Sequence, residues 1–221
     1  MDTEFWLERW KKNEIGFHQR EINPYLQAHW GRLNLAPASP VFVPLCGKSA
    51  DMLWLRARGH AVLGIEISPV AVRDLHTEND LQPRISTQGR FERWETDGLV
   101  ILRGDFFDLA PRDLSDVAGV YDRAALVALP PPLRARYVGH LRTILPVDAA
   151  ILLVTMEYPQ EQMAGPPFSV TEEEVRGLYE SRYAVTHLAT KDILDANPRF
   201  REQGLSRLVE KIYHLTPRRL N

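Results

Sequence analysis

One stretch organises this chain: Val41-Phe42-Val43-Pro44-Leu45-Cys46-Gly47-Lys48-Ser49-Ala50-Asp51-Met52-Leu53. Its apolar start, Pro40 to Leu45, predicts a strand buried in a parallel sheet. A tight turn at Cys46-Gly47 follows, and Ser49 is placed to cap the helix that comes next. A strand, a glycine turn and a helix start form the first half of a nucleotide site in an open α/β sheet.

The second half of this predicted site lies about twenty residues further along the chain. Ala61 to Glu66 is another apolar run, and it ends in a carboxylate. An acid at the end of the second strand is well placed to accept hydrogen bonds from both hydroxyls of a ribose. The dinucleotide fingerprint G-x-G-x-x-G has three glycines where this chain has only Gly47, so the pattern favours a nucleoside without phosphates over NAD. A plain β-α-β unit with a surface Glu66 is the other interpretation.

Composition narrows the class of protein. With 221 residues, 44% of them hydrophobic, the chain is long enough for an α/β core of ordinary size. A net charge of −2 gives no reason to expect a nucleic-acid partner. The single cysteine, Cys46, excludes a multi-cysteine metal site, and we expect it to pack rather than to react; no metal is expected. We see neither an apolar run of membrane length nor a signal segment, so we expect a cytoplasmic protein without membrane contact.

The N-terminal residues form a predicted helical extension. We expect one domain over residues 1–221, in which 1–35 form this extension and 36–221 form the α/β core. From Thr3 onward, apolar residues that include Trp6 and Trp10 have helical spacing. This helix either docks permanently on the core or forms an aromatic lid over a planar or cationic ligand.

Later strands bring further polar residues to the same edge of the predicted sheet. Phe91 to Glu95 and Leu99 to Arg103 flank an Asp-Gly turn and predict a hairpin. Asp105 and Phe106 follow that hairpin, and an acid next to an aromatic ring at a strand end suits an adenine. Arg123 ends the next predicted strand, at the edge where open α/β proteins bind ligands. A salt bridge from Arg123 to its neighbour Asp122 or to another acid is the alternative.

The C-terminal part departs from an ordinary dinucleotide domain. Tyr183 to Leu188 and Leu205 to Leu215 predict two strands without a helix of comparable length between them. A parallel sheet that closes with an antiparallel hairpin is the arrangement of S-adenosylmethionine-dependent methyltransferases.

Several motifs together resemble the bacterial branch of the thiopurine S-methyltransferase family. They are Trp6-Leu7-Glu8-Arg9-Trp10, Phe42-Val43-Pro44-Leu45-Cys46-Gly47-Lys48-Ser49, Gly59-His60, Gly64-Ile65-Glu66-Ile67-Ser68, Tyr121-Asp122-Arg123-Ala124-Ala125-Leu126-Val127-Ala128-Leu129, Gly165-Pro166-Pro167-Phe168 and Glu210-Lys211-Ile212-Tyr213. The resemblance covers nearly the whole chain. It implies an α/β fold with a doubly wound, mostly parallel, seven-stranded sheet, a C-terminal antiparallel hairpin and an N-terminal helical lid.

The resemblance also implies roles for individual residues. The implied cofactor-binding residues are Trp10, Leu45, Gly47, Glu66, Asp105, Phe106 and Arg123. The implied substrate-binding residues are Phe17, His18, Arg123 and Arg199. Within these sets, Trp10 covers the cofactor, Glu66 binds its ribose, and Arg123 lies at the junction between cofactor and substrate. Arg123 and Arg199 are the implied catalytic residues, because they can hold the anionic form of an acceptor.

The implied reaction is methyl transfer from S-adenosylmethionine, which becomes S-adenosylhomocysteine, to the sulfur of an aromatic or heterocyclic thiol such as a thiopurine. Bacterial members of the family are also associated with selenium and tellurium compounds. We expect a monomer whose partner is this small-molecule acceptor. Two other functions stay open on the residues alone: an NAD-dependent oxidoreductase, which the missing glycines disfavour, and a non-catalytic protein that binds S-adenosylmethionine. The presence of Trp10, Glu66 and Arg123 argues against the second.

Overall fold

Strands and helices alternate along most of the chain, which the computed structural model describes over residues 3–218. The strands are β1 (Val41–Val43), β2 (Val62–Glu66), β3 (Arg84–Gln88), β4 (Phe91–Thr96), β5 (Leu99–Arg103), β6 (Gly119–Arg123), β7 (Ala150–Glu157), β8 (Tyr183–Asp192) and β9 (Val209–Pro217). The helices are α1 (Thr3–Lys11), α2 (Pro24–His29), α3 (Asp51–Ala57), α4 (Pro69–Glu78), α5 (Pro131–Ile144), α6 (Glu172–Tyr179) and α7 (Pro198–Glu202). Short 3-10 turns occur between them, and one of these, Trp30–Leu33, continues α2.

One sheet holds these strands in the order β3-β4-β5-β2-β1-β6-β7-β9-β8. β5, β2, β1, β6 and β7 are parallel, whereas β9 runs antiparallel to β7 and pairs with β8 in a closing hairpin. The direction of winding reverses between β1 and β6. The carboxyl ends of strands on either side of such a switch point diverge and leave a crevice, where open α/β sheets bind ligands.

Both faces of the sheet are covered, as a mostly parallel sheet requires. One hydrophobic core lies between the sheet and α2, α3 and α4, and includes Leu26, Met52 and Leu75. A second core lies on the opposite face against α5 and α6, and includes Val138 and Val175. The doubly wound α/β fold with a C-terminal antiparallel hairpin is therefore confirmed.

The described part of the chain forms nine strands in this sheet rather than the seven expected. The two additional strands are β3 and β4, which extend the sheet beyond β5 as an antiparallel meander. β4 belongs to the hairpin that the sequence predicts. β3 escapes prediction because it is an edge strand whose residues, Arg84–Gln88, are polar and mostly exposed, so it lacks the alternation that marks a half-buried strand.

The stretch that follows Pro40 forms the expected strand, turn and helix, but the strand is shorter and the helix begins later than predicted. The strand covers only Val41–Val43, because Pro44 has no N–H for the ladder and Leu45 has a positive φ of 45°. The helix begins at Asp51 rather than directly after Ser49. The Ser49 hydroxyl still accepts a hydrogen bond from the Asp51 N–H, at 3.3 Å, inside the turn that precedes the helix.

Candidate active site

A cavity of about 840 Å³ opens at the carboxyl ends of β1 and β6, at the switch point of the sheet. This volume lies in the upper part of the range for small-molecule sites. Eight of the ten residues implied by the resemblance line it. They are Trp10, Phe17, His18, Leu45, Gly47, Glu66, Arg123 and Arg199.

The loop after β1 is shaped by two residues in the left-handed region, Leu45 at φ 45° and Gly47 at φ 54°. This backbone conformation is costly for a leucine, and such strained residues cluster at functional sites. The turn brings the N–H of Gly47 to the carboxylate of Glu66, at 2.8 Å. The other carboxylate oxygen of Glu66 accepts from the N–H of Ser68, at 2.7 Å. Two neighbouring strand ends are thereby joined through one buried acid.

Glu66 fits the recognition of a ribose. The side chain is buried at the cavity wall and forms no ion pair within residues 3–218. Burial raises its pKa, although the bonds from Ser68 and Gly47 oppose this shift. A carboxylate offers about four lone-pair sites, and these two bonds leave some of them for ligand hydroxyls. The two hydroxyls of a ribose diol are donors that suit these free sites.

Aromatic rings of the N-terminal segment cover the same loop. Trp10 is buried, and the edge of its ring lies so close to Gly47 that a Cβ there would approach it to 3.1 Å. Phe17 contacts both Trp6 and Trp10 edge to face, with ring centroids 5.5 and 5.7 Å apart. Helix α1 therefore places a tryptophan over the glycine turn, and this contact explains why Gly47 is the residue at that position.

Arg123 ends β6 and projects into the cavity, whereas its neighbour Asp122 lies on the other face of the sheet. Asp122 accepts hydrogen bonds from the Tyr137 hydroxyl at 2.7 Å and from the N–H of Leu126 at 3.4 Å. Burial raises the pKa of Asp122 to about 6, against these two bonds. The salt-bridge alternative fails for the described residues, because Arg123 forms no ion pair with any of them. Its guanidinium is available to a ligand.

Arg199 lies on α7, in the connection between β8 and β9, on the opposite side of the cavity entrance. Its side chain is exposed and donates a hydrogen bond to the carbonyl of Gly16. The guanidinium also lies 4.6 Å from the centre of the Phe200 ring. This arginine therefore links the N-terminal segment to the C-terminal hairpin across the mouth of the cavity.

His18 occupies the same mouth, half-buried. Burial, and after it the nearby Lys48 ammonium, lower the pKa of His18. Lys48 itself donates to Glu78 at 2.6 Å. The lowered pKa favours the neutral imidazole, in which one ring nitrogen donates a hydrogen bond and the other accepts one.

Asp105 and Phe106 do not line the cavity. Asp105 accepts from the N–H of Phe107 at 2.8 Å and so caps the short turn that follows β5. Phe106 is buried in the core, with its ring centroid 4.8 Å from that of Tyr137. Their assignment to the adenine stays a prediction that rests on the resemblance and on their place after a strand end.

Cys46 behaves as a packing residue. It is buried, and its sulfur lies so close to Gly64 that a Cβ there would approach it to 2.7 Å. Burial raises the pKa of the Cys46 thiol well above its ordinary value. A protonated buried thiol is a poor nucleophile.

The sequence pattern missed a buried polar bridge under the cavity. The carboxylate of Asp51 accepts from the N–H of Asn23 at 2.7 Å and from the hydroxyl of Tyr121 at 3.0 Å. It joins the segment before α2 to the start of α3 and to β6. Asp51 reads in the sequence as an ordinary acid in the first turn of a helix, so no local signal reveals the bridge. Tyr25 and Glu210, two more polar residues of the cavity wall, were also missed.

Two solved structures that share this fold are those of methyltransferases. A methyltransferase described as S-adenosylmethionine-dependent, from Anabaena variabilis, superposes with a TM-score of 0.64 at 14% identity, over 97% of this chain and 94% of that one. The 1,6-didemethyltoxoflavin-N1-methyltransferase of Burkholderia thailandensis, solved with S-adenosylhomocysteine, gives 0.63 at 14% identity, over 96% and 86%. The fold, with its crevice at the switch point, is that of class I methyltransferases.

Sequence comparison gives the family. A model of the thiopurine S-methyltransferase family matches residues 1–218. The thiopurine S-methyltransferase of Nitrosospira multiformis is 53% identical over 218 residues, 99% of both chains, and that of Pseudomonas entomophila is 50% identical over 216 residues, 98% of this chain and all of that one. This chain belongs to the thiopurine S-methyltransferase family. Its activity as a methyltransferase and its use of S-adenosylmethionine are confirmed, and the two other functions, an oxidoreductase and a non-catalytic binder, are set aside.

Within residues 3–218, none of the helices is both long and apolar enough to span a bilayer. The same part of the chain holds no group of three or more His, Cys, Asp or Glu side chains arranged to bind a metal ion.

Proposed function

We propose that this enzyme methylates the sulfur of planar heteroaromatic thiols, such as thiopurines, and that the cavity holds cofactor and acceptor side by side. The observation that carries the proposal is the single cavity in which a buried ribose-type acid, Glu66, and two guanidinium groups, Arg123 and Arg199, lie on different walls. Selenium and tellurium compounds are also soft nucleophiles, and the proposal includes them as further candidate acceptors.

The wall formed by Leu45, Gly47 and Glu66 is proposed to bind S-adenosylmethionine, with its ribose on Glu66 and its methionine part along the Leu45 backbone. Trp10 lies against this wall and offers an apolar surface and a π face to a sulfonium. Bound there, the cofactor supplies an electrophilic methyl group. The protein residues of this wall orient the methyl and exclude water from it.

The other wall is proposed to hold the acceptor. A thiolate or its thione form is already a soft and sufficient nucleophile, so alignment and charge stabilisation matter more than a strong base. Arg123 ends the strand next to the cofactor loop, where it can stabilise negative charge on the acceptor close to the methyl. Arg199 and the neutral His18 close the mouth above it, and Phe17 gives the planar ring an apolar contact.

The test is a screen of acceptors with isotopically labelled S-adenosylmethionine. Heteroaromatic thiols, simple thiophenols, selenols and tellurium oxyanions are compared at equal concentration, with methylated product separated and counted. We expect heteroaromatic thiols to give the highest kcat/KM. A clear preference for aliphatic thiols or for an oxygen or nitrogen acceptor would contradict the proposed acceptor class.

A further inference from the structure

One buried carboxylate in the cavity has no part in the functions described above. Glu210, on β9, is only 9% exposed and still lines the cavity. Acids at this degree of burial are normally paired. Within residues 3–218, however, Glu210 forms no ion pair. Its neighbours are the hydroxyl of Tyr25 and the guanidinium of Arg123. A buried acid without an ion pair that faces a ligand cavity needs an explanation.

The register of the sheet places Glu210 on the same face as Arg123. Arg123 pairs with Val154 on β7, and Glu210 pairs with Met156, two residues further along the same strand. Opposed residues point to the same side of a sheet, and residues two apart on a strand do so too. With strands about 4.8 Å apart and about 3.3 Å of rise per residue, the two Cα atoms lie roughly 12 Å apart. Both side chains line the cavity from the same face of the sheet, on either side of β7.

Three polar side chains surround Glu210: the phenol of Tyr25 and the cations of Arg123 and Lys191. Tyr25 comes from α2 above this face; burial first, and then the neighbouring Glu210 carboxyl, raise the pKa of Tyr25. Lys191 is the cross-strand neighbour of Glu210 on β8, and its side chain is exposed. Burial raises the pKa of Glu210 as well, although Tyr25 and Arg123 oppose this shift. The carboxyl is thus a better proton acceptor than a surface acid.

We propose that Glu210 is a further catalytic residue, which accepts the ring N–H proton of a heteroaromatic thione while Arg123 faces the sulfur. Such acceptors carry a proton on the ring nitrogen next to the C=S group, and S-methylation requires its loss. The sulfur lone pair forms the new S–CH₃ bond, and the methyl–sulfonium bond breaks with its electron pair going to the cofactor sulfur. The N–H proton passes to Glu210, and its bonding pair becomes the ring C=N bond as C=S becomes C–S.

This inference rests on the proposed function, because it assigns the part of the acceptor that the enzyme recognises. It predicts selectivity between two kinds of sulfur acceptor. A thione with an adjacent N–H, such as purine-6-thione, needs Glu210. A thiophenolate that is already ionised and has no ring N–H, such as 4-nitrothiophenolate, does not.

The experiment compares Glu210→Gln with wild type on these two acceptors at saturating S-adenosylmethionine. General-base catalysis contributes about 10²- to 10⁴-fold, and because a thione N–H is itself acidic we expect a loss of about a hundredfold in kcat/KM for purine-6-thione. The rate with 4-nitrothiophenolate should stay close to that of wild type. Glu210→Asp should recover part of the lost rate.

A matched control is Glu157→Gln. Glu157 lies next to Met156 on β7 but points away from the cavity, towards Lys211 and Arg207. Its substitution removes the same charge from the same sheet edge, and both acceptors should be methylated as by wild type. Thermal melting of each variant reports whether it is folded.

A binding measurement on the wild-type protein needs no variant. Purine-6-thione and its N1-methyl derivative are titrated by calorimetry into the protein saturated with S-adenosylhomocysteine. We expect the N1-methyl derivative, which lacks the N–H, to bind at least tenfold more weakly. A loss of affinity of this size is expected when one charged hydrogen bond is removed.

Three outcomes would overturn the inference: equal losses on both acceptors in Glu210→Gln, no loss on either, or equal binding of the two thiones. Failure of the proposed function looks different, since wild type would then not methylate purine-6-thione at all.

Discussion

The two walls of the cavity are built in different ways. The proposed cofactor wall, made of the Leu45–Gly47 loop and Glu66, lies at two adjacent strand ends, where the buried Glu66 carboxylate accepts hydrogen bonds of 2.7 and 2.8 Å. The proposed acceptor wall includes Arg123 at the end of β6, and its other residues, among them His18, Arg199 and Glu210, come from the N-terminal segment, α7 and β9. The N-terminal segment and α7 are joined by an exposed hydrogen bond from Arg199 to the carbonyl of Gly16, two residues that are 183 positions apart.

The first wall is preorganised by the sheet, whereas the second is assembled from segments that are far apart in the chain. The bond from Gly47 to Glu66 ties the ends of two neighbouring strands and opens only when they separate, whereas an exposed contact between distant segments has a small cost of opening. If the walls bind as proposed, the cofactor wall is rigid and the acceptor wall closes when two distant segments of the chain dock on each other. Acceptor entry and exit then need no movement of the sheet.

Deleting the N-terminal segment that docks at the cavity mouth is expected to have the largest effect on activity. Deletion of residues 1–20 takes away Trp10 and His18 together with the carbonyl that Arg199 binds, but leaves the bond between Asn23 and Asp51. We expect a cooperatively folding protein whose turnover falls by about a thousandfold or more, because alignment and water exclusion are lost. Initial rates and thermal melting check this. A truncated protein that retains most of its activity would show that the segment is not part of the site.

Hydrogen exchange on the full chain tests the same segment without deletion. If it is a lid, amides of residues 3–20 exchange fast in the free protein and become protected with S-adenosylhomocysteine bound. Equal protection in both states would make the segment an ordinary part of the core.

Glu66→Gln is the most direct single substitution for testing the proposed cofactor wall. The amide replaces one carboxylate oxygen by a donor, which cannot accept from a backbone N–H or from a ribose hydroxyl. Charged hydrogen bonds contribute about 1.5–3 kcal/mol each, so we expect S-adenosylmethionine to bind about 10- to 100-fold more weakly. Calorimetry measures this, with Glu95→Gln on β4 as the control. Unchanged affinity in a folded Glu66→Gln variant would place Glu66 outside the cofactor site.

The two arginines of the proposed acceptor wall can be ranked against each other. Arg123→Lys removes a planar fork next to the reacting sulfur, and we expect kcat to fall by about a hundredfold. Arg199→Ala opens an exposed contact at the mouth, and we expect a loss of about tenfold. Cofactor dissociation constants should change much less in both variants. A variant that loses cofactor affinity with unchanged kcat would reassign its arginine to the cofactor.

The smallest expected effect concerns stability below the cofactor wall. Burial raises the pKa of Asp122 to about 6, whereas an unfolded chain has about 3.9. The folded state therefore holds a proton more tightly, and its stability falls as pH rises from about 4 to about 6 and then levels off. The loss is about 2–3 kcal/mol. Urea unfolding across this range should show the slope in wild type and lack it in Asp122→Asn; parallel curves would contradict the buried, protonated acid.

Much of the fold and of the cofactor wall could be predicted from the sequence, because the signals are local. The apolar run before Gly47 and the one that ends at Glu66 each predict a buried strand, and parallel strands of a β-α-β unit present their carboxyl ends at one edge. The hairpin around Asp97-Gly98 follows from turn chemistry in the same way. In each case the residues that decide the structure lie within one supersecondary unit.

The other polar contacts of the site could not be predicted, because they join residues that are distant in the sequence. The Asp51 carboxylate joins partners 28 and 70 positions away, and Glu210 meets Tyr25 only because β9 inserts between β7 and β8. Periodicity tells which residues of a strand share a face, but the neighbours of that face are set by strand order and register. Whether a carboxylate is a solvated surface acid or a buried proton acceptor is decided by those neighbours, since burial and nearby charge set its pKa.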